Sequence, residues 1–172
     1  MPTNIEFKVI TNRLEAAEQQ LLTLAPRYVG EDHQIDTYFN VATGRLKLRE
    51  GNIEHSLIYY ERENTSNVKQ SNVILYNHQP DKHLKALLEK VHGIKTVVDK
   101  KRKIYFIDNV KFHFDRVEGL GTFIEVEAID TDGTISIEKL QEQCNYYAQF
   151  LGVREDDYLA VSYSDMILYK SN

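Results

Sequence analysis

A single cysteine, Cys144, stands among 172 residues, which excludes an intrachain disulfide and any cysteine metal cluster. No apolar run approaches bilayer-spanning length and the first residues carry no signal-peptide core, so a cytoplasmic location is expected. Internal repeats and low-complexity tracts are absent. Neither a glycine-rich phosphate loop nor an HExxH zinc motif occurs. The net charge of −5 gives no bulk attraction to nucleic acid or anionic membrane, so neither is expected as a partner. Any anion site must arise from local placement of Lys and Arg. With 27% charged and 42% hydrophobic residues, the chain reads as one globular domain, 1–172, with a substantial core.

What the chain does have is alternation of apolar and charged residues, in seven separate segments. The first predicted strand, Ile5–Ile10, puts Ile5, Phe7 and Val9 on one face and Glu6 and Lys8 on the other. Asn12, with Glu15 three residues later, predicts a capping box opening a helix that carries Leu14, Ala17, Leu21 and Leu24. Strands are predicted at Ile35–Asn40, Arg45–Glu50 and Ser56–Arg62, with turns at Thr43-Gly44 and Gly51-Asn52. A polar stretch, 63–70, leads to a short strand at Asn72–Tyr76.

The second predicted helix, Asp81–His92, places Leu84, Leu87, Leu88 and Val91 on one stripe and stops at Gly93. Strands return at Val97–Ile107, Val110–Val117 and Thr122–Ile129, the first two joined through Asp108-Asn109. A helix over Ile137–Leu151 is expected to bury Leu140, Cys144, Tyr147 and Leu151, and Tyr158–Tyr169 to pack as a short one. Helices are too few for a βαβ series, so the fold class is α+β. A closed or nearly closed antiparallel barrel best explains two functional faces per strand.

The charged faces carry chemistry of both signs. Lys8, Lys47, Arg49, Lys100 and Arg102 fall on period-two positions of three strands, and Arg62 ends a fourth. Arginine binds phosphate oxygens as a planar fork and lysine as a point charge. Converging in a confined space, these cations would repel one another without a multiply charged anion. Asp115, Glu125 and Glu127 lie on adjacent hairpin strands, opposite in parity to apolar neighbours, and Glu6 comes from the first strand. Hard dications such as Mg²⁺ and Mn²⁺ take carboxylate ligands and bridge to substrate phosphates. A cation wall facing a carboxylate wall predicts a site for metal and triphosphate. Taken singly, each charged strand reads as a solvated outer face; their conjunction points to a lined interior. The run Lys100–Lys103 places charges on both faces, so half of it is solvated.

His113 shares the parity of Asp115 and has two readings, a base or phosphate contact and a structural hydrogen-bonding role. Cys144 reads as core. Tyr59 and Tyr60 suit either stacking on a base or thiamine ring or ordinary strand packing.

These residues, in order from 4 to about 165, resemble the CYTH superfamily of triphosphate tunnel metalloenzymes, which includes class IV adenylyl cyclases, thiamine triphosphatases and inorganic triphosphatases. The ExExK signature is similar to Asn4-Ile5-Glu6-Phe7-Lys8, and a QxDxYF segment to Gln34-Ile35-Asp36-Thr37-Tyr38-Phe39. Gly44 to Arg49, the basic Lys100-Lys101-Arg102, the long run Asp115 to Glu127 and the pair Ser162-Tyr163 extend the likeness. The resemblance implies an eight-stranded antiparallel tunnel with flanking helices and a Mg²⁺ or Mn²⁺ cofactor. Carried over by motif, it implies phosphate contacts and catalytic cations at Lys8, Arg49, Lys100 and Arg102, and metal ligands at Glu6, Asp115, Glu125 and Glu127. Lys47, Arg62 and Lys69 join them as substrate binders, and Asn4 stands where the motif has its first glutamate.

The implied activity is cleavage of a triphosphate (tripolyphosphate, ATP or thiamine triphosphate). Hydrolysis is favoured over cyclisation to cyclic AMP, because no adenine site is recognisable and water is always at hand. A non-catalytic polyphosphate-binding module is the alternative from another class. Oligomeric state stays open between monomer and homodimer.

Overall fold

A computed structural model describes residues 3–62 and 68–171, the side chain of Arg62 excepted. Among the described residues are eight strands, β1 (Thr3–Ile10), β2 (Arg27–Phe39), β3 (Arg45–Glu50), β4 (His55–Arg62), β5 (Lys69–Asn77), β6 (Ile94–Ile107), β7 (Val110–Val117) and β8 (Gly121–Asp130). Four α-helices accompany them: α1 (Leu14–Leu22), α2 (Lys82–His92), α3 (Ile137–Phe150) and α4 (Tyr163–Ser171). The strands close into one antiparallel barrel in the order β1-β5-β4-β3-β2-β6-β7-β8. Closure satisfies both edges of every strand. None of the described helices is long and apolar enough to cross a membrane.

The principal hydrophobic core sits outside the barrel. Ile5, Phe7 and Val9 of β1, Phe112 and Phe114 of β7, and Ile124, Val126 and Ala128 of β8 turn outward and are buried under α1 and α3. Leu14, Ala17 and Leu21 of α1 and Leu140, Cys144, Ala148 and Leu151 beside them complete that layer. Each such large side chain contributes about 1.5–3 kcal/mol on leaving water. A second cluster packs Tyr163 of α4 against Val98, Val117 and Phe123, and a third packs Leu88 of α2 on Phe39 and Leu48. With the apolar residues of β1, β7 and β8 committed outward, the alternate residues of those strands face inward together.

Several expectations change on folding. β2 begins at Arg27 rather than Ile35 and β6 at Ile94 rather than Val97, because the two pair along their whole length. Arg27 to Gln34 lacks apolar alternation and contains Gly30; the β6 ladder, not propensity, makes it a strand. A register shift falls between Tyr28 and Gly30, where φ is +142° and an added Cβ would meet Ile53 at 2.8 Å. The capping box at Asn12 does not form: α1 follows Arg13, which makes no side-chain cap, and Glu15 pairs with Arg116 instead. In α2 only Leu88 of the predicted stripe is buried, while Leu87 and Val91 are exposed. Tyr147 of α3 is partly buried, its ring edge on Phe112. The predicted tail helix starts at Tyr163, after a short 3₁₀ turn at Glu155–Asp157.

Candidate functional site

Inward parity brings charged side chains from six strands around a cavity of about 320 Å³ inside the barrel. β1 supplies Asn4, Glu6 and Lys8, β3 Lys47 and Arg49, β6 Lys100 and Arg102, and β8 Glu125 and Glu127. The sequence reading did not assign Asp36 of β2, Lys111 of β7, or Glu54 at the β3–β4 turn to the site, and all three line the cavity. Neither Asp115 nor Lys69 is on that wall. Asp115 lies beneath it, and the buried Lys69 ammonium donates to the Ala160 carbonyl at 2.7 Å. Arg62, expected among the phosphate binders, has its side chain outside the described residues.

Asp36 is the hub of the cationic side. It accepts two hydrogen bonds from Arg49, at 2.9 and 2.8 Å, and one from the Lys100 ammonium at 2.7 Å. Lys47 approaches the same carboxylate at 3.5 Å. Register explains the gathering: Asp36 stands opposite Arg49 across β2–β3, and Gln34, two residues back on the same face, stands opposite Lys100 across β2–β6. Burial alone would push the Asp36 carboxyl up, but Arg49, Lys100 and Lys47 together hold it well below the ordinary range. Burial brings the Lys100 ammonium down to about 7, with repulsion from Arg102, Arg49 and Lys47 adding to it and attraction to Asp36 opposing it.

Glu54 links this hub to the far wall, accepting from Arg49 at 3.3 Å and Lys111 at 2.6 Å. Its position is set by Asp32, whose carboxylate accepts the backbone N–H groups of Asn52, Ile53 and Glu54 at 2.7, 2.9 and 3.0 Å. Gly51 is required there, since a Cβ would come within 2.5 Å of the same carboxylate.

On the other side, Arg102 forks onto Asp115 with two 2.7 Å hydrogen bonds and reaches Glu125 at 3.2 Å. The Tyr163 hydroxyl donates to Asp115 at 2.8 Å, so α4 is tied to the barrel floor. Lys8 lies 3.7 Å from Glu125 and 3.8 Å over the Tyr163 ring. Beside them Ser71 donates to Glu6 at 2.8 Å. His113 is buried with Nδ1 3.8 Å from both Glu125 and Glu127, too long for hydrogen bonds. Burial, then the nearby Arg102, lower its pKa to about 3. Burial also raises the Glu127 carboxyl to about 7, with Glu6 and Glu125 adding to it.

The remaining two strands differ. Among the described residues, β4 and β5 present Ser56, Ile58, Tyr60, Ser71, Val73 and Leu75 to the cavity, without a charge. One wall of the chamber is therefore largely apolar.

A closed barrel with its core outside and its ionic groups inside is a tunnel protein. Residues 2–163 match the CYTH domain, and the chain belongs to the CYTH family, whose triphosphate tunnel fold the barrel reproduces. Among solved structures, the PH1012 protein of Pyrococcus horikoshii OT3 is 24% identical, covering 94% of this chain and 98% of that one, with a TM-score of 0.79. A candidate adenylate cyclase from Vibrio parahaemolyticus is 17% identical over 96% of this chain and 97% of its own, with a TM-score of 0.78. HpAC1 from Hippeastrum, a candidate adenylyl cyclase with dominant triphosphatase activity, is 15% identical over 99% of this chain and 96% of its own, at 0.61. No curated protein matches the chain.

CYTH proteins depend on a metal, and the residues here fit a dication. The carboxylates of Glu125 and Glu127 and a nitrogen of His113 lie within 4.8 Å of one another. Burial first, then the nearby Glu6 and Glu125 carboxylates, raise the Glu127 pKa, and both His113 nitrogens lack a hydrogen-bond partner among the described residues. A dication would offset that charge and take up one of the two nitrogens.

Proposed function

We propose that this protein is a divalent-metal-dependent phosphohydrolase that encloses a triphosphate in the barrel and cleaves a phosphoanhydride bond. The observation that carries this reading is the convergence of Lys8, Lys47, Arg49, Lys100 and Arg102 on one 320 Å³ cavity beside a carboxylate cluster. Lys47, Arg49 and Lys100 bind the phosphate chain, exchanging the Asp36 carboxylate for phosphate oxygens. Arg102 and Lys8, held at Glu125, neutralise charge developing at the bond that breaks. Glu125 and Glu127, with Glu6 at hand, would hold the dication, which when bound polarises a phosphoryl oxygen and orients water. The barrel wall excludes bulk solvent, so these charges act in a low-dielectric chamber.

The apolar wall of Ile58, Tyr60, Val73 and Leu75 bears on the substrate. A bare tripolyphosphate leaves it unused, whereas a triphosphate with an organic substituent, such as ATP or thiamine triphosphate, covers it. The same wall keeps a second reading open, adenylyl cyclisation, since it suits a base as well as a leaving group. The likeness to HpAC1, with its dominant triphosphatase activity, supports ranking hydrolysis first.

Purified protein incubated with tripolyphosphate, ATP and thiamine triphosphate, with Mg²⁺ or Mn²⁺, is expected to release orthophosphate fastest from an organic triphosphate. Glu125→Gln is expected to lower that rate at least about a hundredfold. Cyclic AMP as the main product from ATP would replace the hydrolase by a cyclase. Binding without any product would make the protein a polyphosphate-binding module.

Lys100 gives a pH dependence of binding. Its free-state pKa of about 7 rises once phosphate lies beside it, so above pH 7 binding takes up a proton and affinity falls as pH climbs. Calorimetry with tripolyphosphate in two buffers of different ionisation enthalpy, at about pH 8.5, should show roughly one proton more taken up than by Lys100→Arg. Equal proton uptake in the two proteins would assign the titration to the ligand alone.

A further inference from the structure

We propose that His113 is a metal ligand, completing with Glu125 and Glu127 a nitrogen-containing centre that prefers first-row transition dications such as Mn²⁺ and Co²⁺ over Mg²⁺. The inference rests on the tunnel as the metal's place and is independent of which triphosphate is cleaved.

His113 is 1% exposed on β7, and among the described residues neither Nδ1 nor Nε2 has a hydrogen-bond partner. Leaving a buried polar group unpaired is costly, and native proteins seldom leave one without a use. The ring is aimed into the carboxylate cluster: Nδ1 lies 3.8 Å from Glu125 Oε2 and 3.8 Å from Glu127 Oε1. Around a dication with bonds of about 2.1 Å, ligand atoms stand roughly 3 Å apart when adjacent and roughly 4.2 Å when opposite. Both His113 separations fall inside that window, and the three donors lie within 4.8 Å of one another.

The neighbouring groups leave this role to His113. Asp115, on the same inward face, is taken up by the Arg102 fork and the Tyr163 hydroxyl. Glu125 Oε1 turns to Arg102 and Lys8 while Oε2 faces the imidazole. His113 sits opposite Glu125 in the β7–β8 ladder, and Glu127 is two residues along on the same face. The three donors are thus fixed by register on two paired strands, a stiff platform for a metal.

A nitrogen donor carries a consequence for ion choice. Mg²⁺ favours an all-oxygen octahedron and gives up water reluctantly, whereas imidazole suits first-row transition ions. Magnesium should therefore bind this protein at least about tenfold more weakly than manganese.

The test uses the whole protein loaded with Mn²⁺ alone, followed by electron spin-echo spectroscopy. Modulation from a directly bound nitrogen is expected, lost in His113→Gln, together with collapse of the Mn²⁺ over Mg²⁺ preference in competition titrations. Manganese bound without nitrogen coupling in the wild-type protein would overturn the proposal, as would the absence of Mn²⁺ binding. The wild-type spectrum decides the matter even where the variant folds poorly. Failure to cleave any triphosphate would leave that spectrum unchanged, so the two readings fail separately.

Discussion

Replacing Asp36 with asparagine is expected to lower the unfolding free energy by about 3–5 kcal/mol and, at the same time, to raise tripolyphosphate affinity at least about tenfold. Asp36 is 1% exposed and serves Lys47, Arg49 and Lys100 at once. Without its charge, Lys47, Arg49 and Lys100 crowd one side of the chamber with only Glu54, 3.3 Å from Arg49, to answer them, and Lys100 loses the neighbour that favours its protonated form. An exposed pair such as Arg154 with Asp157 is worth less than about 1 kcal/mol; a buried hub is a different case because its partners cannot turn to water. A phosphate chain normally competes with Asp36 for those cations, and in the variant that rival is gone. Thermal unfolding with and without tripolyphosphate measures both effects, since ligand stabilisation grows with the ratio of ligand to Kd. A variant that is destabilised but gains nothing from tripolyphosphate would show that these cations do not face the ligand.

Removing the Arg102 guanidinium should produce the largest loss of activity. Arg102→Met is expected to reduce kcat/KM by about a thousandfold. It also strands Asp115, which is fully buried and, among the described residues, keeps only the Tyr163 hydroxyl as a hydrogen-bond partner, at about 3–5 kcal/mol in stability. The two losses can be separated. In a double variant, Arg102→Met with Asp115→Leu, no unpaired charge remains, so most of the stability returns while activity does not. Arg102→Lys should fall between, because one ammonium cannot supply the two parallel bonds the fork makes. Turnover by the double variant near the wild-type rate would remove Arg102 from the chemistry and leave it a structural role.

Strand parity was legible in the sequence because period two survives folding: Lys8, Arg49, Lys100, Arg102 and Glu125 stand on the cavity wall as alternation predicted. What parity cannot supply is which strands come to lie opposite one another. Asp36 was visible inside a motif, yet its partners come from β3 and β6, and only the ladders bring Arg49 and Lys100 to it. Lys111 shares the face of His113 and Asp115, a signal that was present and went unread. Glu54 gave none, since its position depends on the Asp32 carboxylate collecting three N–H groups of a turn. The starts of α2 and α3 were legible at Asp81 and Ile137, but that of α1 was misread: Asn12 had the right chemistry for a cap, and Glu15 found Arg116 on a neighbouring strand. The first half of β2 escaped notice for a related reason. A stretch containing Gly30, Glu31 and Asp32 becomes extended only because β6 offers it a ladder.

The order of strands around the barrel also bears on how quickly the protein can be made. β1 leaves the ribosome first, yet its ladder partners are β5 and β8, the latter beginning at Gly121. Until that last strand emerges, Lys8 and Glu125 cannot meet, and α3, which covers the outward residues of β1, follows later still. Non-local pairing of this kind requires loop-closure entropy to be met before contacts reward it, which places the chain among slow-folding topologies. The tunnel therefore cannot close until its first strand and its last are joined.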